Sequence, residues 1–532
     1  MRDSPQNCRI TQSELSIMSS ARRQSNLEKT QSSTVKLNEK EHKIKYHLPI
    51  NQKRISANVY KMSKNISDDL KNKIGNQVAG PSSAESPPSI FKLTIDCCDE
   101  IFEYLSLVDL NSLGQTCMAM QKVGGEYYRR NFQGAEKFLQ DDGIYTVYAD
   151  DVTNKRTRTS VFNSATEFLS YYYGEKQPLR YIDWHIDEFT AVKHLYFVCI
   201  GLDSQKMEHF QSFFPTLEVL QIRQCILWRD NFYEILLEQC KKLKRLYVQD
   251  DLGYIIYNRG TWLLQNYPTL EHIELTPRGD AKINELQQFF VLNPQIRSFC
   301  TTSDCLFANR NSLMEVDTKL NWLEIKHFIA NAFHMRAEEF NMNAFCNLLN
   351  QLHDRDFYKR LHFFVPDVNE QFSDQLVSLH GLEKLTIDKF TNCYNLLQLK
   401  HLKELNIFGY ANAGNFEILA KSLTNLERIL IQEATYNDLL PFVRHSVNLK
   451  HMKIFAKEAK QFKGETINLG KLNREREKLF GARKLIIYIE DNVFLATKRT
   501  ARYGDINLNM IEMRRSNSIC WDYDYSTIRT FH

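Results

Sequence analysis

The sequence predicts an α/β solenoid, an irregular horseshoe of stacked strand–helix units, with a small all-α motif and a disordered tail ahead of it. Three observations lead there. An apolar-x-x-apolar-x-apolar hexamer recurs between residues 192 and 487 at short intervals. Helix-like stretches separate the hexamers, as in "DNFYEILLEQC" (230–240) and "NFEILAKSL" (415–423). At Phe91 the composition changes abruptly, from a polar segment to one crowded with apolar side chains.

Residues 1–89 form the first element. They are rich in Ser, Asn, Gln and Lys, and their only aromatics are Tyr46 and Tyr60. Such a segment buries too little apolar surface to offset its ordering entropy, so it is expected to be disordered. "AGPSSAESPPS" (79–89) closes it as a Pro/Ser-rich linker. The tail holds 15 Lys/Arg against 8 Asp/Glu, or +7; with +4 for the whole chain, the remainder carries −3. The positive charges are dispersed, which reads as a solvated tail and makes nucleic-acid binding an unneeded explanation.

Residues 90–137 form the all-α motif. Asp96 or Asp99 is placed to cap a short helix presenting Ile101, Phe102 and Leu105. A second segment carries Leu110, Leu113 and Cys117 at spacings of three and four, and Gly124–Gly125 is expected to interrupt before "EYYRRNF". Two or three short helices make too small a core alone, so this motif is expected to dock on something else. Residues 138–180 connect it to the repeats; "YYYGEKQP" (171–178) within them reads as core around the first repeat or as an exposed aromatic spot.

Residues 181–490 carry the repeats. "LEVLQI" (217–222), "LKRLYV" (243–248), "LEHIEL" (270–275), "LNWLEI" (320–325), "LEKLTI" (382–387), "LKELNI" (402–407), "LERILI" (426–431) and "LKHMKI" (449–454) share the pattern. "VKHLYF" (192–197), "IRSFCT" (296–301), "YKRLHF" (358–363) and "ARKLII" (482–487) are weaker members. Starts at 192, 217, 243, 270, 296 and 320, then 382, 402, 426 and 449, lie 20 to 27 residues apart. That period is the signature of leucine-rich repeats. The last positions of each hexamer alternate as in a strand, and each unit leaves an apolar face that only its neighbours cover. Residues such as Asp251, Arg278, Phe390, Tyr410 and Ala434 stand in the turn slot where regular repeats place Asn or Cys; Cys225 fits it. No continuous asparagine ladder is therefore expected. Long gaps after Ile325 and Ile454 imply insertions or degenerate repeats, and residues 491–532 a terminal cap or tail.

In this register the concave side presents, among others, Glu274, Lys326, Asn406 and Phe408 to solvent. Tyr, Trp and Arg dominate binding hot spots, so Tyr196, Arg223, Arg245, Tyr247 and Trp322 are the candidate substrate contacts. No catalytic motif appears: no Walker loop, G-x-G-x-x-G after a strand, H-E-x-x-H or G-x-S-x-G. The cysteines are scattered, without C-x-x-C or a Cys/His cluster at zinc spacing, so neither metal nor cofactor is expected. With no apolar run of membrane length and no secretory leader visible, the expected location is cytoplasmic or nuclear.

Residues 93–117, "LTIDCCDEIFEYLSLVDLNSLGQTC", resemble the F-box, the helical motif that docks adaptor subunits onto a Skp-type protein in cullin-based ubiquitin ligases. Leu93, Cys97, Ile101, Phe102, Leu105, Leu107, Leu110, Leu113 and Cys117 fall in its register; the resemblance implies that they bind the adaptor. Thr94 stands where the family has proline, and Met120 where it often has tryptophan. The implied role is a non-catalytic substrate-recognition subunit. Its partners would be a Skp-type adaptor, through it a cullin, and a protein target held by the repeats. The alternative is a leucine-rich-repeat scaffold whose F-box-like segment is only a structural cap.

Overall fold

The twelve hexamers each land on a strand of one 17-stranded sheet. The structure is a computed structural model; it describes residues 93–132, the strands between 136 and 171, most of residues 192–518, and Trp521. The chain divides into two units at Pro88/Ser89. The tail expected over residues 1–89, the stretch 172–178 and residues 522–532 lie outside the described residues.

Among the described residues, three helices precede the strands: α1 (Ile95–Phe102), α2 (Leu107–Gly114) and α3 (Met118–Asn131). The strands follow: β1 (Glu136–Gln140), β2 (Gly143–Tyr148), β3 (Asp151–Thr157), β4 (Glu167–Tyr171), β5 (His194–Val198) and β6 (Val219–Arg223). Next are β7 (Arg245–Asp250), β8 (His272–Pro277), β9 (Ser298–Thr302), β10 (Leu320–Lys326), β11 (Tyr358–Asp367) and β12 (Leu382–Phe390). β13 (Glu404–Tyr410), β14 (Arg428–Ala434), β15 (His451–Ala456), β16 (Leu485–Ile489) and β17 (Ile511–Arg515) complete the sheet. From β4 to β17 each strand pairs in parallel with its successor. β1 pairs in parallel with β4 and antiparallel with β2, which pairs antiparallel with β3. Strands added in chain order, each reached through a return, make an α/β repeat solenoid. The sheet thus outruns the repeat span of 181–490, taking in β1–β4 before it and β17 after it.

The returns that bear on the site are α4 (Phe232–Gln239), α5 (Leu286–Leu292), α6 (Ser303–Ala308), α7 (Arg310–Met314), α8 (Met342–Asp354) and α9 (Glu370–Val377). They continue as α10 (Phe416–Ser422), α11 (Tyr436–His445), α12 (Leu469–Glu477) and α13 (Asp491–Thr500). The long gaps are insertions, since β10 pairs directly with β11 and β15 with β16.

The apolar pattern explains the core. Leu220 and Ile222, Leu246 and Val248, Ile273 and Leu275, Leu405 and Ile407, and Leu485 and Ile487 are all fully buried. They alternate with residues on the other face, such as Gln221, Glu274 and Asn406, because a strand turns successive side chains to opposite faces. The first residue of every hexamer but the last, such as Leu217, Leu270 or Leu426, is buried as well; Ala482 of the last is half-buried. Stitching between units comes from the returns. Asn293 accepts from the Tyr267 amide at 2.7 Å and donates to the carbonyl of Gln265 at 3.0 Å; Asn309 repeats this toward Ile283 and Ala281. Further on, the buried guanidinium of Arg476 donates to the carbonyls of Val443, Ser446, Val447, Leu449 and Arg483. These groups satisfy backbone that would otherwise be buried unpaired.

Candidate functional site

The helical module is organised by its caps. Thr94, not Asp96 or Asp99, caps α1: its hydroxyl accepts from the Cys97 amide at 3.4 Å. The residue standing in place of proline therefore starts the same helix by a different means. Ser106 caps α2, accepting from the Asp109 amide at 3.2 Å and donating to its carboxylate at 2.8 Å. The Cys117 sulfur accepts from the Met120 amide to open α3. α3 does not break at Gly124–Gly125. Each glycine costs a helix about 1 kcal/mol, but both are buried, and packing of α3 on α1 and α2 overrides the propensity.

α1 presents two stripes. Cys98 and Phe102 face inward, and Phe102 meets Tyr127 edge-on at 5.4 Å. Cys97 and Ile101, also four apart, face outward and are exposed, as is Leu93 just before the helix. Of the nine residues in the motif register, Phe102, Leu107 and Leu110 lie in the chain's own core. Leu105, Leu113 and Cys117 are half-buried against it. Only Leu93, Cys97 and Ile101 stay on the surface, joined there by the exposed apolar Ile95 and Met118.

The module docks on the far end of the chain. Arg515, at the end of β17 and almost fully buried, donates to the carbonyls of Glu103 (2.8 Å) and Leu105 (3.0 Å). The same guanidinium pairs with Asp491 at the start of α13 and lies over the rings of Phe132 (5.2 Å) and Phe494 (4.7 Å). Lys498 of α13 pairs with Glu103. Burial pushes the Tyr127 hydroxyl up to about 12 despite the lowering influence of Arg515. Nothing in the local sequence announces this contact, since its partners are about four hundred residues apart.

The sheet face away from the returns carries the five expected contacts. Tyr196 and Tyr247 share one cross-strand row through Gln221. Arg245 and Trp322 share the next, through His272 and Ser298. Arg223 stands beside Gln249 in a third. All five are on the same face: Arg245 is exposed and the others half-buried. Arg360 lies over Trp322 at 5.3 Å, and Tyr247 meets the ring of His272 at 4.7 Å.

Further along, this face departs from expectation. Glu274, Lys326, Asn406 and Phe408 are buried, not solvated. The reason is a network that runs strand to strand. Lys326 pairs with Glu274 at 2.7 Å, His362 with Glu324 at 3.2 Å, and Glu404 with Lys384 (3.0 Å) and Arg428 (3.4 Å). Thr386 joins His362 (2.9 Å) to Asn406 (3.1 Å). A second apolar cluster then covers the face: Phe364, Phe408, Leu430, Phe455, Tyr488 and Trp521. Trp521 donates from its indole N–H to Asn406 at 3.0 Å and lies under the Arg428 guanidinium at 4.3 Å. Burial lowers the His272 imidazole to about 4, and lowers His362 in the same direction. Burial acts to raise the Glu404 carboxyl, but Lys384 and Arg428 hold it below the usual range.

No family model and no curated protein matches the chain. Among solved structures, an internalin from Listeria monocytogenes aligns over 68% of this chain and 89% of its own, at 12% identity and a TM-score of 0.22. The assignment to an α/β repeat solenoid of leucine-rich-repeat type rests on the hexamer pattern and the strand order. Among the described residues, no helix is long and apolar enough to cross a membrane.

Proposed function

We propose that the chain is a non-catalytic, protein-binding subunit of a Skp–cullin–F-box ubiquitin ligase. The helical module meets the Skp-type adaptor and the open part of the sheet face holds a protein target. The observation that supports the docking half is the outward stripe of α1. Leu93, Cys97 and Ile101 lie in the F-box register and are exposed, with Ile95 and Met118 adding apolar surface nearby in sequence. Phe102, Leu107 and Leu110 then serve the module's interior and not its partner. The target half rests on Tyr196, Arg223, Arg245, Tyr247 and Trp322, residue types suited to hot spots and placed on one face.

The test is a pull-down of the full chain with a Skp-type adaptor, beside an Ile101→Asp/Leu93→Asp variant. Burying one such side chain stabilises by about 1.5–3 kcal/mol, so losing both weakens docking by two or more orders of magnitude. Failure of the intact chain to bind sinks the ligase reading.

A second reading then leads, and one observation favours it: the Arg515 clamp makes the module a cap on the end of the repeats. On that reading the chain is a leucine-rich-repeat scaffold, and its exposed stripe has another partner or none.

A further inference from the structure

Two adjacent repeats bring together three polar side chains that the proposed function does not use. His353 and Asp354 end α8, and His380 lies between α9 and β12. Their ligand atoms all lie within 4.8 Å of one another. Asp354 Oδ1 sits between two imidazole nitrogens, 2.9 Å from His380 Nδ1 and 3.6 Å from His353 Nδ1. We propose that His353, Asp354 and His380 form a binding site for a borderline divalent transition-metal ion, Zn²⁺ above all, which ties one repeat to the next.

Three observations carry this. The first is the donor set. Two imidazoles and one carboxylate suit Zn²⁺ and its neighbours in the transition series, whereas Ca²⁺ and Mg²⁺ prefer oxygen throughout. With metal–ligand bonds of about 2.0–2.1 Å, ligands around a tetrahedral ion stand roughly 3.4 Å apart. The 3.6 Å separation already meets that spacing, and the 2.9 Å separation reaches it by opening a little at an exposed carboxylate.

The second is a weakly satisfied atom. His353 Nδ1 is buried and its nearest polar partner, Asp354 Oδ1, stands 3.6 Å away, beyond a good hydrogen bond. A buried imidazole nitrogen so poorly paired costs stability. A metal ion between the two groups would satisfy both.

The third is the support around the ligands. Gly381, at φ +72°, lets His380 approach: a Cβ there would stand 2.9 Å from the Lys359 carbonyl and 3.1 Å from the His353 ring. The His380 amide donates to Asn350 at 2.9 Å, and Asn350 donates to the Ser378 carbonyl at 3.0 Å, which fastens the His380 loop to α8. The His353 ring packs edge-on against Tyr358 at 5.3 Å. Backbone and outer contacts of this kind are what orient first ligands at metal sites. Three protein ligands leave a fourth position for water.

The experiment titrates metal-stripped full-length protein with Zn²⁺ by calorimetry and, in parallel, with Co²⁺ by visible spectroscopy. The expected result is one saturable site per chain whose Co²⁺ spectrum lacks thiolate charge transfer. His380→Ala and Asp354→Asn, both at exposed positions, should each weaken it tenfold or more, and His401→Ala should leave it unchanged. Absence of saturable binding overturns the proposal. So does binding that survives both variants, or a Co²⁺ spectrum with thiolate bands, which would assign the metal to cysteines instead.

Discussion

Removing the Arg515 guanidinium should undock the helical module from the solenoid and, because its own core is small, let its helices open while the repeats stay folded. In the intact chain that group makes two charge-assisted bonds to the carbonyls of Glu103 and Leu105, one ion pair to Asp491, and two ring contacts. Deleting one partner of a buried ion pair costs about 3–5 kcal/mol, because the remaining charge is stranded. Asp491 keeps 17% of its side-chain surface exposed, so it rehydrates in part and the low end applies. About 3 kcal/mol corresponds to a roughly 100-fold larger population of the undocked module. Native-state hydrogen exchange reads this directly. In Arg515→Ala, amides of α1–α3 should exchange about two orders of magnitude faster, while those of β7–β12 keep their rates. Arg515→Lys should fall between, since an ammonium cannot span both carbonyls and Asp491 as a planar fork does. Exchange in α1–α3 within about threefold of wild type, in a folded Arg515→Ala protein, would falsify the clamp.

Three further outcomes are expected. Trp521→Ala removes the lid of the second apolar cluster; a buried Trp→Ala change costs about 3–5 kcal/mol, so dye binding to exposed apolar surface should rise and Tm should fall. An unchanged Tm would mean the indole seat at Asn406 contributes nothing. Acid should destabilise the fold in two steps that differ in origin. His272 drops from 6.5 to about 4 on folding, so its contribution is complete above pH 6.5 and is lost as pH falls toward 4. At 1.36 kcal/mol per unit this is at most about 3–4 kcal/mol, reduced by its partial exposure. Glu218, held near 2 by hydrogen bonds to Lys193 and Lys244, contributes above pH 4.5 and loses that contribution between 4.5 and 2. Urea midpoints against pH should therefore fall first below 6.5, and His272→Gln should shrink the upper step without abolishing it, since burial also lowers His327, to about 4, and His362; a profile flat from 6.5 to 4.5 would refute the assignment. Gly381→Ala and Gly481→Ala share the same φ of +72°, but only the first meets backbone at 2.9 Å. The second should cost about 1–2 kcal/mol of conformational strain and the first clearly more; equal losses in urea denaturation would contradict the steric argument.

The repeat architecture was legible because its information is local. Each hexamer holds its own alternation, and two inward residues such as Leu246 and Val248 decide which way the strand faces. The same locality let the short helices of the α1–α3 segment be read from spacing and put Tyr196, Arg223, Arg245, Tyr247 and Trp322 on one face. Propensity misled where packing outweighed it, as at Gly124–Gly125 within α3.

What only the tertiary structure decided are contacts between residues with no fixed spacing. Arg515 finds Glu103 and Leu105, Trp521 finds Asn406 and Arg428, and Lys326 finds Glu274, each pair far apart along the chain. Phe102 and Leu110, expected at the adaptor surface, lie in the chain's own core, which only their neighbours in the fold reveal. The His353–Asp354–His380 cluster was hidden for the same reason, since its members come from successive repeats and no short motif joins them. Periodicity specifies how a strand or helix is turned; which distant charge or ring meets it depends on how all the repeats stack.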